Sequence, residues 1–352
     1  MLTTFRRSVP IMHIGLINRY RQWLGLPDLE PVTLGEGNTP MVHWATWNSC
    51  RICLKLEGCN PTGSFKDRGM TVAVSQARHA GAKAVICAST GNTAASAAAY
   101  AGRAGLKAFV VIPSGQVALA KMIQASAYGA TILAIEGNFD QALQAVRTVA
   151  EQESWIALVN SVNPWRLRGQ ETGAYEILDD LGTMPSALVL PVGNAGNISA
   201  YFHGFRRRNE GVPQMFGIQA QGSDPLVQGR DLDNVTTIAS AIRIGRPASA
   251  HLAKEAVRES HGQFHSVPDS AILHAQEELA HGGIFVEPAS AAAYAGLKVL
   301  YRRNLLPTGD VVAILTGNGL KDSQTPTMWA HVEPQLVKSQ HLIESIGQFM
   351  NP

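Results

Sequence analysis

An α/β fold with two open, mostly parallel sheets is the architecture the sequence predicts, and three observations carry it. Apolar runs of ~4–6 residues recur between amphipathic stretches, the pattern of buried parallel strands alternating with helices. Polar, glycine-bearing loops follow several of these runs directly, where an open α/β sheet collects its ligands. The chain has 352 residues, 45% hydrophobic and 16% charged, which is enough for two cores of ordinary domain size and unlike a disordered segment.

In order, residues 14–24 read as a helix ending near Gly25, and residues 32–40 as a glycine-punctuated loop. A short strand over 52–55 precedes the stretch around Lys66. Strands are expected at 84–87, 109–112 and 131–135, with helices running to Arg103, over 121–128 and over 139–151. The second half repeats the grammar: strands at 187–192, 215–219 and 311–315, helices at 197–208, 269–281 and 289–301. The boundary between the two sheets falls near residues 160–185. A weak helix over 334–349 completes the chain.

Composition removes several classes of function. The formal net charge is +2 and no basic stripe is interleaved with aromatics, which argues against nucleic acid as the main partner. No apolar run reaches the ~18 residues of a membrane span. Arg6 and Arg7 are not followed by an apolar core and a small-residue cleavage site, so a cytoplasmic location is expected. Four cysteines are too few and too clustered for a secreted disulfide framework. Cys50 and Cys53 form a C-x-x-C pair, but no second pair lies at zinc-ribbon spacing, and no metal site is expected. There is no G-x-S-x-G elbow, H-E-x-x-H or kinase signature set.

The chemistry centres on Lys66, in Asn-Pro-Thr-Gly-Ser-Phe-Lys-Asp-Arg-Gly-Met over residues 60–70. Pro61 and Gly63 mark a turn, Ser64 is a plausible N-cap, and a helix follows. Exposed N–H groups in a first helical turn disfavour an ammonium, so the lysine pKa should fall and its free amine become available. Arg68 is expected to push the same way, and Asp67 to oppose it unless it points elsewhere. An ordinary solvated lysine at a helix start is the plainer alternative.

Four loops at strand ends could serve such an amine. Ser89, Thr90, Gly91, Asn92 and Thr93 offer hydroxyls and backbone N–H groups to a carboxylate, or simply cap a helix. Gly193, Asn194, Ala195, Gly196 and Asn197 form a strand-to-helix turn able to cradle a phosphate. It is neither G-x-G-x-x-G nor a P-loop, so a dinucleotide or ATP is not favoured. Thr316 stands at the end of an apolar strand beside Gly317, Asn318 and Gly319. Asn160, Ser161, Asn163 and Arg166 make a polar, proline-marked stretch whose arginine suits an oxyanion, and Lys121 adds a second cation.

Together these stretches resemble the pyridoxal-phosphate enzymes of the tryptophan synthase β-like group, fold type II, and within it the threonine synthases. The resemblance covers about residues 30–325. Trp165 and Ala120 depart from the residues usual there. The long N-terminal extension of plant members that respond to S-adenosylmethionine is missing, so that activation is not expected.

The resemblance implies a fold with the active site between two domains. The larger would comprise residues 1–50 and 165–352, and the smaller residues 51–164. It implies pyridoxal 5'-phosphate as cofactor, carried by Lys66 as a Schiff base. Asn92 would meet its 3'-oxygen, Gly193 to Asn197 its phosphate, and Thr316 its pyridine nitrogen. Ser89, Thr90 and Thr93 would bind the substrate carboxylate. Lys121, Asn160, Ser161 and Arg166, with Thr93, would hold the substrate phosphate. The implied reaction turns O-phospho-L-homoserine and water into L-threonine and phosphate, in a homodimer. A threonine or serine dehydratase on the same scaffold and a non-catalytic small-anion sensor are the rival readings.

Overall fold

The computed structural model describes residues 14–115, 122–208, 211–322, 324–330, 334, 336–342 and 345–346. Helix α1 (Gly15–Leu24) turns Leu16, Ile17, Tyr20 and Leu24 onto Val72 and Tyr175. A hairpin follows, β1 (Met41–Trp47) antiparallel to β2 (Cys50–Leu56), and then α2 (Lys66–His79), whose first residue is the lysine.

The smaller sheet comes next. Its strands are β3 (Ala84–Ala88), β4 (Lys107–Pro113), β5 (Thr131–Ile135) and β6 (Ile156–Leu158), and between them lie α3 (Asn92–Ala104), α4 (Ile123–Ala127) and α5 (Phe139–Gln152). The order is β5-β4-β3-β6 and every pair is parallel. The two-residue period of a strand decides the packing. Val85 and Cys87 join Met70 and Val74 of α2 and Ala98 of α3, whereas Ala84, Ile86 and Ala88 face Ala142 and Val146 of α5.

Helices α6 (Pro164–Gln170) and α7 (Thr172–Leu181) lead back to the larger sheet. Its remaining strands are β7 (Ala187–Pro191), β8 (Gln214–Ala220), β9 (Gln263–Val267) and β10 (Gly309–Leu315). They are joined through α8 (Gly196–Arg207), α9 (Pro225–Gln228), α10 (Ala250–Glu259), α11 (Asp269–His281) and α12 (Pro288–Arg302). The order is β1-β2-β10-β7-β8-β9, parallel apart from β1. Near-continuous apolar strands need cover on both faces. Val189, Val311 and Ala313 pack with α11 and α12, and Leu188, Leu190, Val312 and Ile314 with α7, α8 and α10.

Several expectations change. The smaller domain implied by the resemblance begins at residue 51, yet β2 pairs along its length with β10, so residues 51–56 lie in the six-stranded sheet. Strands β1, β6 and β9 and helices α6, α7, α9 and α10 are not among the elements the sequence predicts. Of the helix expected over 334–349, residues 334, 336–342 and 345–346 are described, and they show a 3-10 turn, Ser339–His341, with helical residues at 342, 345 and 346. Cys50 and Cys53 lie on opposite faces of the larger sheet, each in a different core, so the pair cannot close on one ion.

Candidate active site

The turn before Lys66 is stitched to the loop after β10. Phe65 N–H donates to the Thr316 carbonyl at 2.9 Å, and Asn318 N–H donates to the Gly63 carbonyl at 2.9 Å. Lys66 therefore begins α2 where both sheets meet. Ser64 does not cap this helix: its buried hydroxyl makes no hydrogen bond among the described residues. Asp67 organises the turn instead, accepting Thr62 N–H at 2.7 Å and the Thr62 and Ser96 hydroxyls at 2.6 Å each. Burial lifts the Asp67 carboxyl to about 6.

Burial, with the Arg166 guanidinium adding to it, brings the Lys66 amine down to about 7, against the opposing pull of Glu287. The expected contribution of Arg68 is not found. Arg68 is buried in ion pairs of 2.6 Å with both Glu57 and Glu176, and Glu176 also meets Lys55 at 3.2 Å. Its charge is neutralised there, and Arg166 is the cation that acts on the amine.

Arg166 lies on α6 rather than in a loop. Asn163 caps that helix through its side chain and Pro164 occupies the first turn. The guanidinium is fully buried. Nη1 donates to the Val159 carbonyl at 2.7 Å, while Nε and Nη2 have no partner among the described residues. Desolvation lowers its pKa to about 10. Two open, buried donors on a cation are the equipment of an anion site.

Asn160 is bonded at both ends to Ala88, Oδ1 accepting its N–H at 3.0 Å and Nδ2 donating to its carbonyl at 2.9 Å. It thereby ties β6 to the end of β3, where Ser89 and Thr90 begin the loop. Ser89, Thr90, Asn92 and Thr93 are half-buried around the start of α3, and Ser161 is half-buried in the turn after β6. Lys121 and Ala120 lie outside the described residues.

After β7 the glycine-asparagine turn enters α8 through Ala195, which takes a left-handed φ of 67°. Asn194 is anchored outward, its carbonyl accepting Ser249 N–H at 3.1 Å. Neither end of the buried Asn197 amide has a partner among the described residues. Consecutive N–H groups at a helix start beside an open buried amide suit a phosphate. Thr316 is buried with Oγ1 3.0 Å from Ser290 Oγ.

Sequence reasoning missed Glu287 and Ser290. Glu287 is buried, and its two oxygens each accept from Asn92 Nδ2 at 3.0 Å. The signal was present in Glu287-Pro288 ahead of an alanine-rich helix, an N-terminal boundary whose polar residues the apolar run obscured. Lys321 was also passed over. It donates to the Thr62 carbonyl at 2.9 Å and to Gln124 Oε1, linking the β10 loop to α4.

An amine held near neutrality, a phosphate cradle with an open amide and a neutral hydroxyl at a strand end match the donor set for pyridoxal phosphate. This class of enzyme is what the fold and the site define. The family profile described as pyridoxal-phosphate dependent enzyme matches residues 32–317. The chain is 54% identical to a threonine synthase of Synechocystis sp., covering 88% of this chain and 83% of that protein. It is 49% identical to one of Halalkalibacterium halodurans (92% and 94% covered) and 48% identical to one of Mycobacterium tuberculosis (95% and 96%). The chain belongs to the threonine synthase family of pyridoxal-phosphate-dependent enzymes. Solved structures share the fold. A threonine deaminase of Solanum lycopersicum superposes with a TM-score of 0.72 at 22% identity, covering 89% of this chain and 93% of that one. Maize serine racemase gives 0.71 at 20%, covering 96% and 98%.

Proposed function

We propose that the enzyme converts O-phospho-L-homoserine and water to L-threonine and phosphate, with Lys66 as the amine that carries the cofactor and moves the protons. The observation that carries this reading is Lys66, lowered to about 7, within electrostatic reach of a buried arginine with two open donors. An amine of that pKa is about half unprotonated at neutral pH, so it can accept a proton and return it. When bound, pyridoxal phosphate supplies an aldehyde carbon for Lys66 Nζ and a conjugated ring that takes up charge from the substrate's reacting carbons.

The chain's own groups do the rest. Gly193, Asn194, Ala195, Gly196 and Asn197 hold the cofactor phosphate at the start of α8. Asn92 donates to the ring's 3'-oxygen, and Thr316 meets its nitrogen through a neutral hydroxyl, which does not enforce protonation there as a carboxylate would. Ser89, Thr90 and Thr93 orient the substrate carboxylate. Arg166, Lys121 and Ser161, with Thr93, hold the phosphate before it leaves, and Asn160 sets the loop from which these groups act. Lys66 Nζ takes a proton from Cα and then one from Cβ, and phosphate departs from Cγ. A proton is delivered to Cγ, water adds at Cβ to leave the hydroxyl of threonine, and Cα takes back a proton from Lys66 Nζ. Fixed cations beside a dianionic leaving group stabilise its departure without reorganising.

The test is phosphate release with stoichiometric threonine formation from O-phospho-L-homoserine, run beside ammonia release from threonine and serine. Ammonia release alone would replace this reading with a dehydratase. No helix among the described residues is long and apolar enough to cross a membrane. A cytoplasmic homodimer is the setting the family resemblance supports, and sedimentation of the purified protein checks the dimer.

A further inference from the structure

A side-chain amide has a donor end and an acceptor end of nearly the same shape, and only its partners decide which end faces a ligand. At Asn92, the first residue of α3, the partner is Glu287, which immediately precedes α12. Asn92 Nδ2 donates to both carboxylate oxygens at 3.0 Å, and its side chain makes no other hydrogen bond among the described residues. The acid is built into the fold. Glu287 is buried, and its N–H donates to the Gly317 carbonyl at 3.1 Å. A Cβ at Gly317 would lie 2.5 Å from Glu287 Oε1, so the glycine leaves the room the carboxylate occupies. Burial raises the Glu287 pKa and the charge of Asp322 adds to it, while the Asn92 hydrogen bond and the charges of Lys321 and Lys66 favour ionisation. An ionised carboxylate only accepts, so the amide nitrogen can meet it and the amide oxygen cannot. Two oxygens equidistant from one nitrogen share one of its hydrogens, and the second hydrogen is left for a ligand.

We propose that Glu287 is a positioning residue that fixes the Asn92 amide with its nitrogen, rather than its oxygen, toward the cofactor's 3'-oxygen. This rests on the reading above that Asn92 meets that oxygen. An acid carried by the larger sheet thus sets the polarity of a ligand contact made from the smaller one. A donor at that point stabilises the 3'-oxygen without its proton. Reversed, the amide would accept a hydrogen from the same oxygen and keep the proton on it. The negative charge of Glu287, taken by itself, acts in the opposite sense and disfavours a deprotonated oxygen nearby. Orientation and charge therefore predict opposite results when the acid is neutralised.

The experiment is the absorbance spectrum of the holoenzyme at neutral pH. Cofactor joined to an amine absorbs in the visible when its 3'-oxygen has given up the proton to the nitrogen, and in the near ultraviolet when the oxygen keeps it. Glu287→Gln preserves the shape but brings an amide that can donate to Asn92 Oδ1, so Asn92 is free to reverse. The near-ultraviolet band should grow at the expense of the visible one. Glu287→Asp, again acceptor-only, should return most of the visible band. A visible band unchanged or strengthened in Glu287→Gln would mean that only charge or packing is felt there and overturn the proposal. Should Glu287→Gln fail to fold, Glu287→Met, which offers the amide no acceptor, is read in the same way. Asn92→Ala separates the two levels of the argument. If it shifts the bands, adding Glu287→Gln to it should shift them no further; a further shift would mean that Glu287 acts by another route. If Asn92→Ala shifts the bands and Glu287→Gln does not, only the role of Glu287 fails; if Asn92→Ala leaves them in place, Asn92 does not meet the 3'-oxygen.

Discussion

Gly69 and Gly169 mark the crossing of α2 and α6, and neither position has room for a side chain. A Cβ at Gly69 would lie 2.5 Å from the Arg166 carbonyl, and one at Gly169 would collide with the Arg68 carbonyl. This close approach brings Arg166 to the start of the Lys66 helix. Gly169→Ala should therefore destabilise the fold by ~1–3 kcal/mol, the usual cost of overpacking. Denaturant unfolding measures that, and a stability equal to wild type would show that the helices can part freely.

Lys66→Ala should abolish both the visible absorbance of the holoenzyme and threonine formation. Borohydride treatment followed by peptide mapping should find the cofactor attached at residue 66 in the wild type. Turnover persisting in the variant would assign the reaction to another group.

Arg166→Ala should act in two directions. It should weaken use of the phosphorylated substrate, because two donors to the departing anion are lost. It should also raise the Lys66 pKa from about 7, since the guanidinium is one of the two causes that lower it, after burial. The acidic limb of the pH–rate profile should then move to higher pH, and a limb that stays in place would separate the two residues. Stability has its own pH signature. A lysine lowered in the folded state binds more protons when unfolded, so its contribution improves as pH rises from about 7 towards its ordinary 10.5.

The buried cluster of Arg68 with Glu57 and Glu176 should be among the most sensitive points of the fold. Arg68→Ala leaves two carboxylates buried without their partner and should cost ~3–5 kcal/mol, read by thermal or denaturant unfolding. Burial opposes ionisation of Glu176, but Arg68 and Lys55 outweigh it and hold the carboxylate far below its ordinary 4.5. Its stabilisation is present above that value and is lost as pH falls below it. Wild-type stability should drop on acidification from pH 4.5, and Glu176→Gln should flatten the drop.

Much of the architecture could be read from the chain because buried parallel strands are continuous apolar runs. Ala187–Pro191 and Gly309–Leu315 follow from Val, Leu and Ile in sequence, as does the smaller sheet's Ala84–Ala88. The edge strands of the larger sheet did not, since Met41–Trp47 and Gln263–Val267 are interrupted by polar residues and lack that signature. At the site, Lys66 and the turn into α8 were legible from lysine, glycine and proline placement. The partners of their neighbours were not. Arg68 sits two residues from Lys66 in the chain, yet its charge is taken up by Glu176, more than a hundred positions away. Glu287 and Ser290 escaped notice for the same reason: their meaning lies in Asn92, Thr316 and Gly317, which only tertiary structure sets beside them.

The two backbone bonds that join Gly63 and Phe65 to Asn318 and Thr316 have a consequence for the order of events during synthesis. On the ribosome, the lysine emerges some two hundred and fifty residues before the segment that completes its turn. The turn that presents the lysine is complete only once β10 lies between β2 and β7, so a chain cut short of that strand lacks the partners of Gly63 and Phe65.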